Sequence, residues 1–254
     1  MQFPESWLRE FCDPPLSTQQ LADLLTMSGM EVEELRPVAP PFNGVIVAEI
    51  VEAAPHPQAD RQRVCKVSVG RGEPLQVVCG APNARAGLRA PLATVGAQLP
   101  PAADSADGKP FVIGLGQLRG VESAGMLCSA KELGIADDHG GLLELAADAP
   151  LGQPLREHLK LDDTLFTLKL TPNLAHALSV YGIARELAAL TGAPLRTPKV
   201  EPVRPAHDQR LPVEVLAHDL CGRFSGRIVR GVDTQAKTPG WMVQRLARAA
   251  ASAA

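Results

Sequence analysis

Apolar positions follow three successive textures along the chain. In the first, Leu21, Leu24 and Leu25 repeat at helical spacing. Pro14-Pro15 stops any helix before them, Ser17 with Gln20 makes a capping-box pattern, and Gly29 is a natural stop. Val38-Ala-Pro-Pro41 reads as a linker. From Gly44 to about Leu145 the texture changes to short runs. Val45 to Val51 is rich in β-branched residues, and Arg63 to Val69 alternates, with Val64, Lys66 and Ser68 on one face and Cys65, Val67 and Val69 on the other. Leu75 to Cys79, Ala90 to Val95 and Phe111 to Ile113 complete the set, and Pro91 predicts an edge strand or a bulge. Turns separate these runs at the spacing of a small antiparallel sandwich or barrel. Five strands suit an OB-type barrel among other small β folds.

The helical texture then returns. Leu165 to Leu170 predicts a short strand and Thr171-Pro-Asn173 a turn. Ser179 can cap a helix through Val180, Ile183, Ala184, Leu187 and Leu190, stopped by Gly192 and Pro194. Prolines at 194, 198, 202, 205 and 212 predict an extended crossing segment. Leu211 to Leu216 and Arg223 to Val229 are strand-like, and Trp241 to Ala254 is helix-like with an Ala-rich tail. Residues 211–254 hold too few partners to cover both faces of such strands, a first sign of a fragment.

Composition narrows the function classes. The chain has 254 residues, 45% apolar and 21% charged, which excludes a disordered polymer. Aromatics are 4%, so base stacking has few platforms. The net charge of −3 excludes a uniformly basic nucleic-acid coat. The charge is uneven, and between Arg61 and Arg89 six cations (Arg61, Arg63, Lys66, Arg71, Arg85, Arg89) face Glu73 alone. That strip is either solvated loop charge or a phosphate-binding surface. Five cysteines with no CxxC suggest reduced cytosolic thiols rather than a disulfide framework or a zinc ribbon. No apolar run reaches the roughly 18 residues of a membrane span.

Local motifs have plain structural readings. In Pro55-His-Pro-Gln-Ala-Asp-Arg61, His56 lacks a partner at metal-ligand spacing, and Asp60 is expected to hold the loop by accepting backbone N–H bonds. Cys79-Gly80 lacks the base that an active thiol needs, and Asn83 is a turn residue whose amide could also meet a sugar or base edge. In Leu118 to Gly134, Gly120 and Gly125 allow tight turns, Met126-Leu-Cys128 forms a buried plug, and Ser129 with Glu132 makes a second capping box. No hydrolytic triad, Walker loop, GxGxxG or HExxH occurs, so neither catalysis nor a metal site is expected.

Taken in order, these segments resemble a known family. Ser6 to Glu10, with Met27-Ser-Gly-Met-Glu-Val32, resembles the start of bacterial phenylalanyl-tRNA synthetase β subunits. His56 to Arg61, Val64 to Val67, Val78 to Asn83 and Gly120 to Ser129 resemble the tRNA-binding OB domain inserted in that family. Leu170 to Asn173 with Leu178 to Leu187 resembles the α/β segment after the insertion, and Leu220 to Leu246 the opening of the editing domain. Where the family commonly has Asn-Arg-x-Asp, this chain has Asn173-Leu-Ala-His176.

The resemblance implies an α+β multidomain fragment. A split α/β domain would span 1–39 plus 150–200, a five-stranded OB-type barrel 40–149, a linker 201–210, and the truncated start of an α/β editing domain 211–254. It implies a non-catalytic part of a class II phenylalanine–tRNA ligase. The parent would use ATP and Mg²⁺, act in the cytoplasm as an α2β2 tetramer with an α subunit, and bind tRNA(Phe) and no membrane. Arg61, Arg63, Lys66, Asn83, Arg85 and Arg89 are the RNA-binding candidates, and Asp60, Gly80, Gly120, Gly125 and Ser129 the structural ones. The β module would be either a tRNA-binding or an architectural element. The remaining alternative is a free-standing OB-fold tRNA-binding or chaperone-like protein.

Overall fold

The computed structural model describes residues 1–101, 108–137, 140–236 and 238–249. Two sheets dominate. In the smaller, β1 (Gln2–Pro4), β2 (Glu31–Pro37) and β11 (Thr164–Lys169) run antiparallel in the order β1-β11-β2. Three helices cover it: α1 (Glu5–Phe11), α2 (Thr18–Met27) and α4 (Val180–Thr191). Their apolar faces meet in one core of Phe3, Leu8, Leu21, Leu25, Met30, Phe166, Leu168, Ile183 and Leu187, with Phe3 and Phe166 stacked 5.7 Å apart. Residues 3–30 and 166–187, on either side of the larger sheet in the sequence, thus bury one another.

The helix signals are realised as chemistry. Ser17 and Gln20 form the complete capping box, and Ser179 accepts from the Gly182 N–H at 2.9 Å. Gly192 closes α4 in the left-handed conformation. Met27, at the end of α2, is exposed and stays out of the core. One strand was not anticipated. Glu31-Val-Glu-Glu-Leu-Arg-Pro37 carries four charges in seven residues, yet it pairs with β11 because Val32 and Leu35 pack on the helical core.

The larger sheet holds β3 (Asn43–His56), β4 (Ala59–Ser68), β5 (Leu75–Cys79), β6 (Arg89–Leu99), β7 (Phe111–Val112) and β10 (Met126–Leu127). Its order is β10-β6-β3-β4-β5, with β7 beside β6. Six strands therefore stand where five were expected, and ladder pairing leaves the order open. The segment leading into β10 reaches β5 instead, through one side-chain and one backbone bond. Between them a hairpin of β8 (Gly116–Leu118) and β9 (Val121–Ser123) folds over β5. The Ser123 hydroxyl accepts from Val78 N–H at 3.0 Å, and Ala124 N–H donates to the Gln76 carbonyl at 2.8 Å.

The middle of this sheet is covered on both faces. Ala48, Ile50, Ala90 and Leu92 enter one core with Cys65, Val67 and Val77. Val45, Val47 and Ala93 enter another with Phe42, Leu133, Leu155 and Leu161. This explains why β3 and β6 read as continuous apolar runs rather than as alternations. Pro91 is accordingly not on an edge strand. Its carbonyl accepts from Cys128 N–H just past the end of β10, so its missing donor faces that same side, where no ladder bond is lost.

The chain enters and leaves this sheet side by side. Val38 N–H donates to the Asp163 carbonyl at 2.9 Å. Arg156, on the short helix α3 (Leu155–His158), donates to the Pro40 carbonyl and lies over the Phe42 ring. Beyond Arg196 the described residues form one further helix, α5 (Gly240–Ala249). The strands expected at Leu211–Leu216 and Arg223–Val229 do not form. Leu211, Val213, Leu216, Phe224 and Val229 are exposed, and no neighbouring strand covers them. Residues 250–254 of the expected helix lie outside the described residues.

Candidate nucleic-acid interface

The six cations between Arg61 and Arg89 do not form one strip. Arg61 and Arg63 follow the β3–β4 turn, where the pairing slips from Pro55↔Arg63 to His56↔Ala59. The slip leaves Asp60, Arg61 and Gln62 outside regular pairing, an irregularity that re-aims side chains. Arg61 and Arg63 are exposed and form no ion pair among the described residues. Arg63 shares the face of Cys65 and Val67 beyond the end of their core, whereas Lys66 points to the opposite face and donates to Gln76 at 3.3 Å.

Arg71 is exposed between β4 and β5, whereas Arg85 and Arg89 are bound within the protein. Arg85 holds Glu144 with both terminal nitrogens, at 2.8 and 3.0 Å, and that carboxylate raises its pKa. Arg89 is half-buried, donating to Glu49 at 3.0 Å and to the Ala149 carbonyl at 2.8 Å. The Asn83 amide is likewise occupied. It accepts from Leu142 N–H at 2.8 Å and donates to the Leu142 carbonyl at 3.0 Å, mimicking a strand pair. Asn83, Arg85 and Arg89 thus fasten the returning segment 142–149 to the sheet.

Asp60 does not hold its loop as expected; it is exposed at the start of β4. His56 does so instead. Its Nδ1 accepts from Gln58 N–H at 3.0 Å, so its Nε2–H donates to the Leu118 carbonyl, 3.2 Å away. The buried ring therefore pins the β3–β4 turn to the β8–β9 hairpin. Arg119, at the tip of that hairpin, donates to the Gln58 carbonyl at 3.0 Å. Sequence reading passed over Arg119; its signal is Arg-Gly between two short β-like runs, the position of a two-residue hairpin turn.

The glycines differ in their reasons. Gly125 has φ +141°, and a Cβ there would stand 2.8 Å from the Ala93 carbonyl oxygen. Gly120 has φ +82° in the hairpin turn. Gly80 has neither a positive φ nor a close neighbour, so nothing in the structure demands glycine there. The Ser129–Glu132 box forms, with Ser129 N–H and hydroxyl donating to the Glu132 carboxylate at 2.6 and 2.7 Å.

The buried thiols are unsuited to nucleophilic work. Burial pushes Cys65 up to about 11 and Cys128 up to about 12, and it also raises Cys12 and Cys79. Among the described residues no group of three or more His, Cys, Asp or Glu could hold a metal ion, and no helix is long and apolar enough to cross a membrane.

Comparison with known proteins places this geometry. Residues 45–154 match the family described as "Putative tRNA binding domain". The chain is 58% identical over 249 residues to the phenylalanine–tRNA ligase beta subunit of Ralstonia nicotianae, covering 98% of this chain and 30% of that protein. The beta subunits of Cupriavidus pinatubonensis, at 59%, and Burkholderia lata, at 58%, match with the same coverage. The chain thus spans about three-tenths of the length of these relatives. Among solved structures, the C-terminal domain of Plasmodium vivax p43 covers 43% of this chain and 57% of its own, at TM-score 0.31 and 19% identity. A MetRS related protein from Pyrococcus horikoshii covers 43% and 86%, at TM-score 0.31 and 17% identity.

Proposed function

Because 98% of this chain aligns with about 30% of phenylalanine–tRNA ligase beta subunits, we propose that it is the N-terminal, non-catalytic part of such a subunit. The parent would be a class II aminoacyl-tRNA synthetase that attaches phenylalanine to tRNA(Phe), working in the cytoplasm as an α2β2 tetramer with an α subunit. That alignment, running through the segments on both sides of the larger sheet, is the observation that carries the reading. It also counts against a free-standing OB-fold protein. The division that goes with it is a split domain of 1–39 plus 150–200, a tRNA-binding OB-type barrel at 40–149, a linker at 201–210 and the start of an editing domain from 211. The Ser123 and Ala124 bonds across β5 support a barrel-like curl of the sheet.

ATP and Mg²⁺ belong to the parent reaction, and two depressions among the described residues are lined by groups that do not suit them. A depression of about 290 Å³ is lined by Asp23, Glu33 and Glu34, which would repel a triphosphate. Another, of similar volume, has Phe42, Asn43, Gln98 and Arg156, with no acid to hold a cation. The chemistry is assigned to the remainder of the parent enzyme.

The role of this part is contact with the tRNA backbone. In an OB fold the second and third strands and the turn between the first two form the binding face. Here that face would be β4, β5 and the His56–Asp60 turn, which present the free cations Arg61 and Arg63, with Lys66 on the flank. These would contact phosphates rather than read bases. Arg85, Arg89 and Asn83 shape the support. Filter-binding of tRNA at several salt concentrations tests this. Two engaged phosphates give a slope of log affinity against log salt of roughly −1.4 to −1.8. The Arg61→Ala/Arg63→Ala variant should bind more weakly and lose most of that slope. Salt-independent behaviour, or none at all, would favour the architectural reading.

A further inference from the structure

Arg119 lies where its backbone is unfavourable. The β8–β9 hairpin closes with Leu118 opposite Val121, so Arg119 and Gly120 are the whole turn, at φ +45° and +82°. Both central positions of such a turn need positive φ, which suits Asn-Gly and disfavours a long side chain at the first. Such an outlier at an exposed tip points to use of the side chain rather than to folding. The guanidinium spends one donor on the neutral Gln58 carbonyl, and no carboxylate pairs with it among the described residues. Gln58 lies three residues before Arg61, and His56 locks the two turns together through Leu118. Asp60 and Glu122 are the nearest acids in sequence on these elements, and both are exposed.

We propose that Arg119 is an RNA-phosphate contact, joining Arg61 and Arg63 in one cationic rim built from the β3–β4 turn and the β8–β9 hairpin. This inference rests on the tRNA-binding reading above. The rim is assembled from segments distant in sequence, Arg119 and Gln58 being 61 residues apart. Its charge is held by a neutral carbonyl, so the guanidinium is oriented without being neutralised. That is the arrangement a phosphate diester can complete.

The test replaces Arg119 without harming the turn. Arg119→Asn creates the favoured Asn-Gly pair, and Arg119→Lys keeps the charge. Both are compared with the parent chain and with Arg61→Ala/Arg63→Ala in tRNA filter-binding at several salt concentrations, alongside thermal midpoints. Loss of one phosphate contact removes about 0.7–0.9 from the salt slope, so the ratio of affinities at 50 and 200 mM salt shrinks about threefold. Arg119→Asn should show that shrinkage at an unchanged or higher midpoint, and Arg119→Lys should keep the parent slope. If Arg119→Asn binds like the parent while the Arg61/Arg63 variant is weakened, this inference fails and the tRNA-binding reading stands. If both Arg119 variants lose binding together with thermal stability, the residue is structural and the inference also fails. If the parent chain binds no tRNA in a salt-dependent way, both fall.

Discussion

Two regions of the larger sheet carry arginines of the same type and close spacing in opposite states. Arg61 and Arg63, beside the β3–β4 turn, have no carboxylate partner among the described residues. Arg85 and Arg89, on the approach to β6 and at its start, are engaged by Glu144 and Glu49. Those acids lie 59 and 40 residues away in sequence. A run of like charge read along the chain therefore counts guanidiniums, whereas the fold decides which remain available. Here Arg61 and Arg63 sit where strand register breaks, and Arg85 and Arg89 where a distant segment is tied down.

The largest expected break of this contrast is Arg89→Ala. It strips a half-buried Glu49 of its partner and leaves the Ala149 carbonyl without its donor. A loss of about 2–3 kcal/mol is expected, read as a lower urea midpoint at unchanged m. Asn83→Ala comes next. It removes two backbone bonds to Leu142, a loss of about 1–2 kcal/mol, and amide exchange should quicken first in the segment 142–145. His56→Ala should cost about 1–2 kcal/mol through the unsatisfied Leu118 carbonyl and Gln58 N–H, and a proteolytic cut near the β3–β4 turn would report it. At the other extreme, Arg61→Ala/Arg63→Ala should leave stability within about 0.5 kcal/mol while changing tRNA binding. A stability loss there as large as that of Arg89→Ala would erase the distinction between the two regions.

How much of this was legible depended on whether the deciding partner was local. β5 was expected and found at Leu75–Cys79, paired with the strand just before it, and the Ser17, Ser129 and Ser179 caps formed because each is settled within three residues. β2 was missed because its stability comes from β11, more than 120 residues later, and its charged surface hides two half-buried apolar side chains. The strands expected after Leu211 failed for the complementary reason: β propensity without a partner leaves no ladder. His56 was weighed only as a metal ligand lacking neighbours at ligand spacing. Its partners are backbone atoms, one of them 62 residues away, which no side-chain pattern signals. Asn83 and Arg85 were legible as polar surface but not as the clamps on Leu142 and Glu144.

The depth of four thiols has a practical consequence. Cys12, Cys65, Cys79 and Cys128 are buried, and Cys221 alone among the five is partly open to solvent. A maleimide dye added to the native chain should therefore react at Cys221 first and stay there until the cores open. The unaltered sequence thus carries its own single attachment point, in the segment beyond the two sheets. A fluorophore placed there would report any change in the covering of that segment.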